Sequence, residues 1–217
     1  MPQETDHARR FYDRISSVYD ALSDSSEAES RQTGLKMLEL SGGESCLEIG
    51  YGTGHCLLEL AQAVGPEGKV VGIDISSGMR DVAAKRLNDA WVGDRVRLEV
   101  GTVPPIQEAD QSFDVVFLTF TLELFPEDQI PSVLSEVARV LRPGGRLGVV
   151  CMAAPRKGER SSLLERTYVW MHQHFPHIVD CAPIDPDSLI GDAGLTVQQS
   201  HREEIWTMPV AMVLATK

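Results

Sequence analysis

Three groups of residues in this 217-residue chain have the types and spacing to do chemistry. The stretch from Cys46 to His55, CLEIGYGTGH, is an apolar run closing on Gly50, Gly52 and Gly54, with Glu48 two places before the first glycine. Glycines so spaced let a backbone turn sharply after a strand and approach a ligand closely, and the helix that follows, from Thr53 to Cys56, offers unpaired N–H groups to an anion. A tight turn that binds nothing would read the same way. Asp74 ends the next apolar run, KVVGID, where a carboxylate can accept hydrogen bonds from the vicinal hydroxyls of a ribose. Capping of the helix after it is a role for Ser76 or Ser77, which leaves Asp74 available for a ligand. The third group comprises Glu123 and the histidines of MHQHFPH, His172, His174 and His177, which are candidate general bases. Plain readings stand beside these: Glu123 as a surface or capping carboxylate, and the histidines as helix-end residues that suit the dipole. Pro176 interrupts the geometry between His174 and His177, so no metal site is expected.

A ribose carrying adenine occurs both in nicotinamide dinucleotides and in S-adenosylmethionine (SAM), so the glycine spacing has to discriminate. The dinucleotide fingerprint has its third glycine where this chain has His55. Here that glycine arrives one place early, and a negative charge at Glu48 would repel a pyrophosphate while suiting an ammonium group. The turn therefore fits the methionine end of SAM better than a dinucleotide, and a nicotinamide-dependent oxidoreductase is disfavoured.

The elements that must hold these residues are legible as an alternation. Short apolar runs at SCLEIG, KVVGIDI, RVRLEV, FDVVFLTF and RLGVVCMA read as strands, and the amphipathic segments TGHCLLELAQAV, SGMRDVAAKRLNDAW and EDQIPSVLSEVARVL read as helices. Such alternation implies a parallel sheet with helices on both faces. Pro143-Gly144-Gly145 is expected to end the helix before RLGVV. LTVQQSHREEIW and VAMVLATK, facing each other across Thr207-Met208-Pro209, form a predicted hairpin, giving seven strands with the last antiparallel. Ahead of the sheet, Phe11, Ile15, Val18 and Leu22 mark one helical face, and SRQTGLKMLEL a second helix that stops at Ser41-Gly42-Gly43. Between the fifth strand and a helix near Asp185-Pro186, residues 152–184 form a long excursion. It leaves a strand's carboxyl end and so starts on the rim where ligands bind. Within it, Leu164, Tyr168, Met171 and Phe175 lie near one helix face, able to roof an apolar pocket or to pack on the core.

Bulk composition sets outer bounds. The length favours one domain, and 42% hydrophobic with 24% charged residues is ordinary for a globular protein. A formal charge of −12 opposes binding to a polyanion, so no nucleic-acid partner is expected. No apolar run reaches the ~18 residues of a membrane span, and MPQETDHARR lacks the apolar core of a secretory signal, so a cytoplasmic protein without stable membrane insertion is expected. Cys46, Cys56, Cys151 and Cys181 form no CxxC and read as buried thiols.

Taken together, Glu48 to Gly54, Asp74, Phe113-Asp114-Val115-Val116 and Leu141-Arg142-Pro143-Gly144-Gly145 resemble the motifs of the class I SAM-dependent methyltransferases. The resemblance covers residues 44–151 and reaches the C-terminus through Ala193-Gly194-Leu195 and the hairpin. It implies a three-layer αβα doubly wound seven-stranded sheet, order 3-2-1-4-5-7-6 with strand 7 antiparallel, in one methyltransferase domain. Its expected parts are a helical lid (1–43), a SAM-binding core (44–151), a substrate-covering insertion (152–184) and a C-terminal helix and hairpin (185–217). The leader Tyr12 to Asp20, YDRISSVYD, resembles that of the ubiquinone/menaquinone-biosynthesis methyltransferases, where it forms a lid and its second tyrosine, here Tyr19, reaches the cofactor. The same resemblance implies cofactor contacts from Glu48, Gly50, Gly52, Gly54, Asp74, Ile75, Met79, Thr119 and Phe120. One departure concerns adenine: where the family has an acidic residue after strand three, this chain has Gly101-Thr102-Val103, leaving the Thr102 hydroxyl or the Val103 N–H for the ring. The implied function is methyl transfer from SAM, yielding S-adenosylhomocysteine, to a small lipophilic acceptor such as a quinone precursor or phenol. Amine or phospholipid-headgroup N-methylation and a non-catalytic SAM-binding regulator remain open.

Overall fold

A computed structural model describes residues 9–10, 12–13, 19–154, 182–205 and 208–217, with the backbone alone for 19–26. Among them run α1 (Tyr19–Met37), β1 (Ser45–Ile49), α2 (His55–Val64), β2 (Lys69–Asp74), α3 (Ser77–Asp89), β3 (Val96–Val100) and β4 (Phe113–Thr119). The chain continues with α4 (Ile130–Val140), β5 (Leu141–Met152), α5 (Pro186–Asp192), β6 (Thr196–Ile205) and β7 (Met208–Thr216). The strands form one sheet in the order β3-β2-β1-β4-β5-β7-β6. β1 to β5 are mutually parallel, and β7 runs antiparallel between β5 and β6. The expected architecture is thus the observed one.

Two apolar layers sandwich the sheet. On one face Leu47, Ile49, Val71, Val116, Leu118 and Val149 meet Val133, Leu134 and Val137 of α4 and Ile190 of α5. On the other, Cys46, Val70, Val115, Phe117 and Val150 meet Leu35 and Leu38, Leu57 and Leu60 of α2, and Ala83 and Leu87 of α3. Strands buried on both faces explain why their sequences read as continuous apolar runs rather than alternations. Cys46, Cys56 and Cys151 are buried free thiols, as expected; Cys181 lies outside the described residues.

Several boundaries differ from expectation. Residues 19–37 form one helix where the sequence predicts two segments, 7–22 and 30–40, separated by residues 23–29. Polar residues there give no apolar periodicity, but Ser, Asp and Glu are tolerated within a helix that the following residues anchor. Its second half is anchored: Leu35 and Leu38 are buried, and Ser30 donates to Glu203 of β6. The part of the 1–43 segment nearest the sheet is therefore a layer of the sandwich. The apolar face marked by Phe11, Ile15 and Val18 lies outside the described residues. Helix α4 starts at Ile130 rather than Glu127 because Pro131, which has no N–H to give, occupies its first turn. It also ends at Val140, three residues before the proline, since Leu141 already pairs with Phe113 as β5 begins. β7 begins at Met208, so Met208 and Pro209, expected between the two strands, lie inside it.

Candidate functional site

The parallel strands deliver their carboxyl ends to one rim, and the order reverses between β1 and β4, the place where open α/β sheets bind ligands. The turn after β1 lies there. Gly50 has left-handed backbone (φ +73°), and a Cβ on it would overlap the Thr121 side chain, so β4's exit loop presses directly on the turn. Thr121 Oγ1 donates to the Thr119 carbonyl at 2.9 Å and reaches the Gly50 carbonyl at 3.3 Å. Gly54, the N-cap of α2 with φ +83°, sits against α3, where a Cβ would lie 2.8 Å from Ala83 Cβ. Gly52 differs from both: a Cβ there would meet nothing within 4 Å. The first and third glycines are thus required by packing, and the second faces the space available to a ligand.

Asp74 joins this turn to the end of β2. Its Oδ2 accepts from Gly52 N–H at 2.8 Å and its Oδ1 from Ser76 N–H at 2.9 Å, with 8% of the residue exposed. Burial raises its pKa, an effect those backbone donors oppose. Ser76 is the N-cap of α3, its hydroxyl accepting from Met79 N–H at 3.1 Å, as expected, so Asp74 is not the cap. The protein itself supplies part of the partnership that the sequence assigns to a ligand. Asp13 of the leader docks at the same helix end: one of its carboxylate oxygens accepts from Ser76 Oγ at 2.6 Å and Gly78 N–H at 2.9 Å. The Gly78 amide first, and then the Ser76 hydroxyl, hold its pKa below the usual range.

Glu48, on the α2 side of β1, is 2% exposed, and its Oε2 has no hydrogen-bond partner among the described residues. Burial drives its carboxyl well above the usual carboxylate range; a Cys56 hydrogen bond opposes this and the charge of Asp74 adds to it. A buried, unpartnered carboxylate oxygen is costly unless a cation or donor completes it.

The other expected cofactor residues take varied positions. Ile75 is half-buried after β2, and Met79 is buried in α3. Thr102 is exposed, whereas Val103 is buried in the α4-side core. Thr119 and Phe120 are half-buried at β4's exit, and Phe120 has φ +48° with its N–H donating to the Val150 carbonyl at 2.7 Å. Tyr19 begins α1, and its side chain lies outside the described residues, as do His172, His174 and His177. Glu123 occupies a 3-10 turn after β4 and is 2% exposed, so it is not a surface carboxylate. Its Oε1 accepts from Met152 N–H at 2.8 Å.

Sequence reasoning missed Arg86, Thr121 and Asp13. Arg86 Nη1 donates to the Thr53 carbonyl at 2.9 Å, clamping the turn from α3. Arg86 and Thr121 act on backbone carbonyls far away in sequence, and no spacing marks such contacts. Asp13 was visible only as part of the leader pattern.

The strand order and the glycine turn, with an aspartate closing β2, are features of the class I SAM-dependent methyltransferases, the class that residues 46–145 resemble. Residues 46–145 match the family model of a methyltransferase domain. Among relatives, the chain is 35% identical over 126 residues to a demethylmenaquinone methyltransferase of Lactobacillus johnsonii, covering 58% of this chain and 50% of that one. It is 31% identical over 164 residues to a demethylmenaquinone methyltransferase of Symbiobacterium thermophilum, covering 73% and 64%. The chain thus spans between half and two thirds of these relatives' lengths. A solved SAM-dependent methyltransferase from Aquifex aeolicus superposes with a TM-score of 0.67 at 24% identity, covering 93% of this chain and 97% of that one, which shows the shared fold. The cofactor of this class is SAM, and the residues present fit it: an incomplete buried carboxylate, open space at Gly52 and the carboxylate that closes β2 surround one turn.

Proposed function

We propose that this chain transfers the methyl group of SAM to the ring carbon of a reduced quinone precursor. The observation that carries the cofactor half is the unpartnered Glu48 oxygen beside a glycine turn whose middle member is open. The acceptor is taken from the demethylmenaquinone methyltransferases among its relatives and from the leader YDRISSVYD. In this reading Glu48 faces the ammonium of the cofactor, the first-turn amides of α2 its carboxylate, and Asp74 the ribose hydroxyls. Ile75 and Met79 flank the nucleoside, Thr102 or the Val103 N–H serves adenine, and Thr119 and Phe120 border the reacting end. Asp13, bound to the α3 end next to Asp74, supports a role for the leader beside the nucleoside, and Tyr19 is the leader residue assigned to the cofactor.

SAM, when bound, supplies a methyl group on a positively charged sulfur, so the leaving group is already activated. The protein's work is alignment and exclusion of water, worth up to about 7–11 kcal/mol in well-ordered cases. A base that removes the acceptor's hydroxyl proton would raise the electron density of the ring carbon, and His172 and His174 are the candidates for it.

Calorimetry with SAM, S-adenosylhomocysteine and NADH, followed by turnover of labelled SAM, tests the reading. Binding of the first two but not NADH, and label transfer to short-chain demethylmenaquinol, is the expected result. Transfer to amines or phosphoethanolamine alone would replace the acceptor, and SAM binding without transfer to any acceptor would favour a regulator.

A further inference from the structure

We infer that Glu123 is a positioning residue that clasps the end of β5 and the returning chain at 182–184, and so fixes the wall of the crevice facing the acceptor. The inference rests on the methyl-transfer reading for its kinetic consequence, though not for the clasp itself. Glu123 Oε1 accepts from Met152 N–H at 2.8 Å, and the Glu123 carbonyl accepts from Ala182 N–H at 3.2 Å. One residue thereby holds both the outgoing and the returning strands of chain. Those two are also zipped to each other. Ala153 and Ile184 form a parallel bridge, with Ala154 N–H donating to Ile184 at 2.7 Å and Ile184 N–H to Met152 at 3.2 Å. From the far side, Arg202 of β6 donates to the Ala154 carbonyl at 2.8 Å.

The clasp is built into the cofactor turn. Two residues before Glu123, Thr121 packs on Gly50, and Phe120 is held in left-handed backbone by its bond to Val150. The segment 119–123 thus spans from the turn after β1 to the carboxyl end of β5. It sets the distance between the wall that carries the methyl donor and the wall from which an acceptor must be presented. Transfer rates are sensitive to that distance, and displacements of about 1 Å can cost ~100-fold. A 2% exposed carboxylate engaged with a backbone amide is suited to hold structure, whereas a base needs its oxygen directed at the acceptor's proton.

The test compares Glu123→Ala and Glu123→Gln using SAM, short-chain demethylmenaquinol and hydrogen exchange at the Met152 amide. The alanine variant should lower kcat/KM for the acceptor about ten- to a hundred-fold, leave the SAM Kd within about twofold, and speed exchange at Met152. Glutamine keeps a carbonyl oxygen for Met152 and should restore both kcat/KM and exchange protection. A large fall in kcat at unchanged KM in Glu123→Gln would make Glu123 a base and overturn the assignment. So would Met152 exchange that is the same in wild type and Glu123→Ala. Should the alanine variant not fold, wild type against Glu123→Gln decides: matched kcat/KM and matched Met152 protection support the clasp, and lost turnover in the glutamine variant sinks it. If wild-type protein methylates no acceptor, the functional reading fails, while Met152 exchange still judges the clasp.

Discussion

At Asp74 one side chain serves two ends. Its carboxylate braces the glycine turn through Gly52 and the start of α3 through Ser76, with the Ile75 amide close by, and the four acceptor sites of a carboxylate exceed those backbone donors. Replacement by alanine should weaken SAM binding by about 1.5–3 kcal/mol, the range for hydrogen bonds to a charged group, as measured by titration calorimetry. A SAM analogue without the ribose 2′-hydroxyl should lose less on the same substitution. Equal losses for the two ligands would move the effect from the ribose contact to the turn. Residue types told most of this in advance. The aspartate at the end of an apolar strand is visible in sequence because burial of a charge demands a partner. That the protein supplies two of those partners is not visible, since Gly52 and Ser76 donate backbone hydrogens that every residue but proline possesses.

Elements were easier to read than their ends. The βα alternation was legible because strands buried on both faces must be apolar throughout, and the β6–β7 pairing because the two runs are separated by so few residues. Helix limits depended on events outside the helix, such as Leu141 pairing with Phe113 or Leu38 anchoring α1 to the sheet. The reason for the third glycine was hidden for the same cause: it lies in α3. At Gly54 an added Cβ would come 2.8 Å from Ala83 Cβ in a backbone with φ +83°. Gly54→Ala should therefore destabilise the protein by about 1–2 kcal/mol for the left-handed backbone, plus roughly 1–3 kcal/mol for overpacking between α2 and α3. Ala83→Gly alone should cost about 1 kcal/mol as a helix-interior glycine. Combined with Gly54→Ala it should return the overpacking part, a coupling readable from urea midpoints. Strictly additive losses would mean that α3 does not constrain the turn.

For the molecule as a whole, the crevice is a place where folding stores unfavourable charge. Glu48 and Asp74 both have carboxyls raised by burial; the charges of Asp74 and Glu59 add to the effect at Glu48, where Arg31 of α1 opposes it, and the charge of Asp13 adds to it at Asp74. The sign of the consequence is fixed by proton counting. Between the ordinary glutamate value of 4.5 and its higher value in the fold, native Glu48 holds more protons than the unfolded chain does. Stability contributed by that carboxyl therefore falls as pH rises through this window, and the loss is complete once Glu48 ionises in the native state. Glu48→Gln removes the ionisation while keeping the shape. Its urea midpoint should gain on wild type as pH is raised from 4.5 towards neutrality. A saturating ammonium-bearing ligand should narrow the gap by favouring ionised Glu48 in wild type alone, so that SAM stabilises wild type more at neutral than at acid pH. S-adenosyl analogues lacking the amino group should leave the gap as it was. Parallel midpoints for wild type and variant across that range, with and without SAM, would show that the buried carboxylate is satisfied within the protein and is not kept for the cofactor.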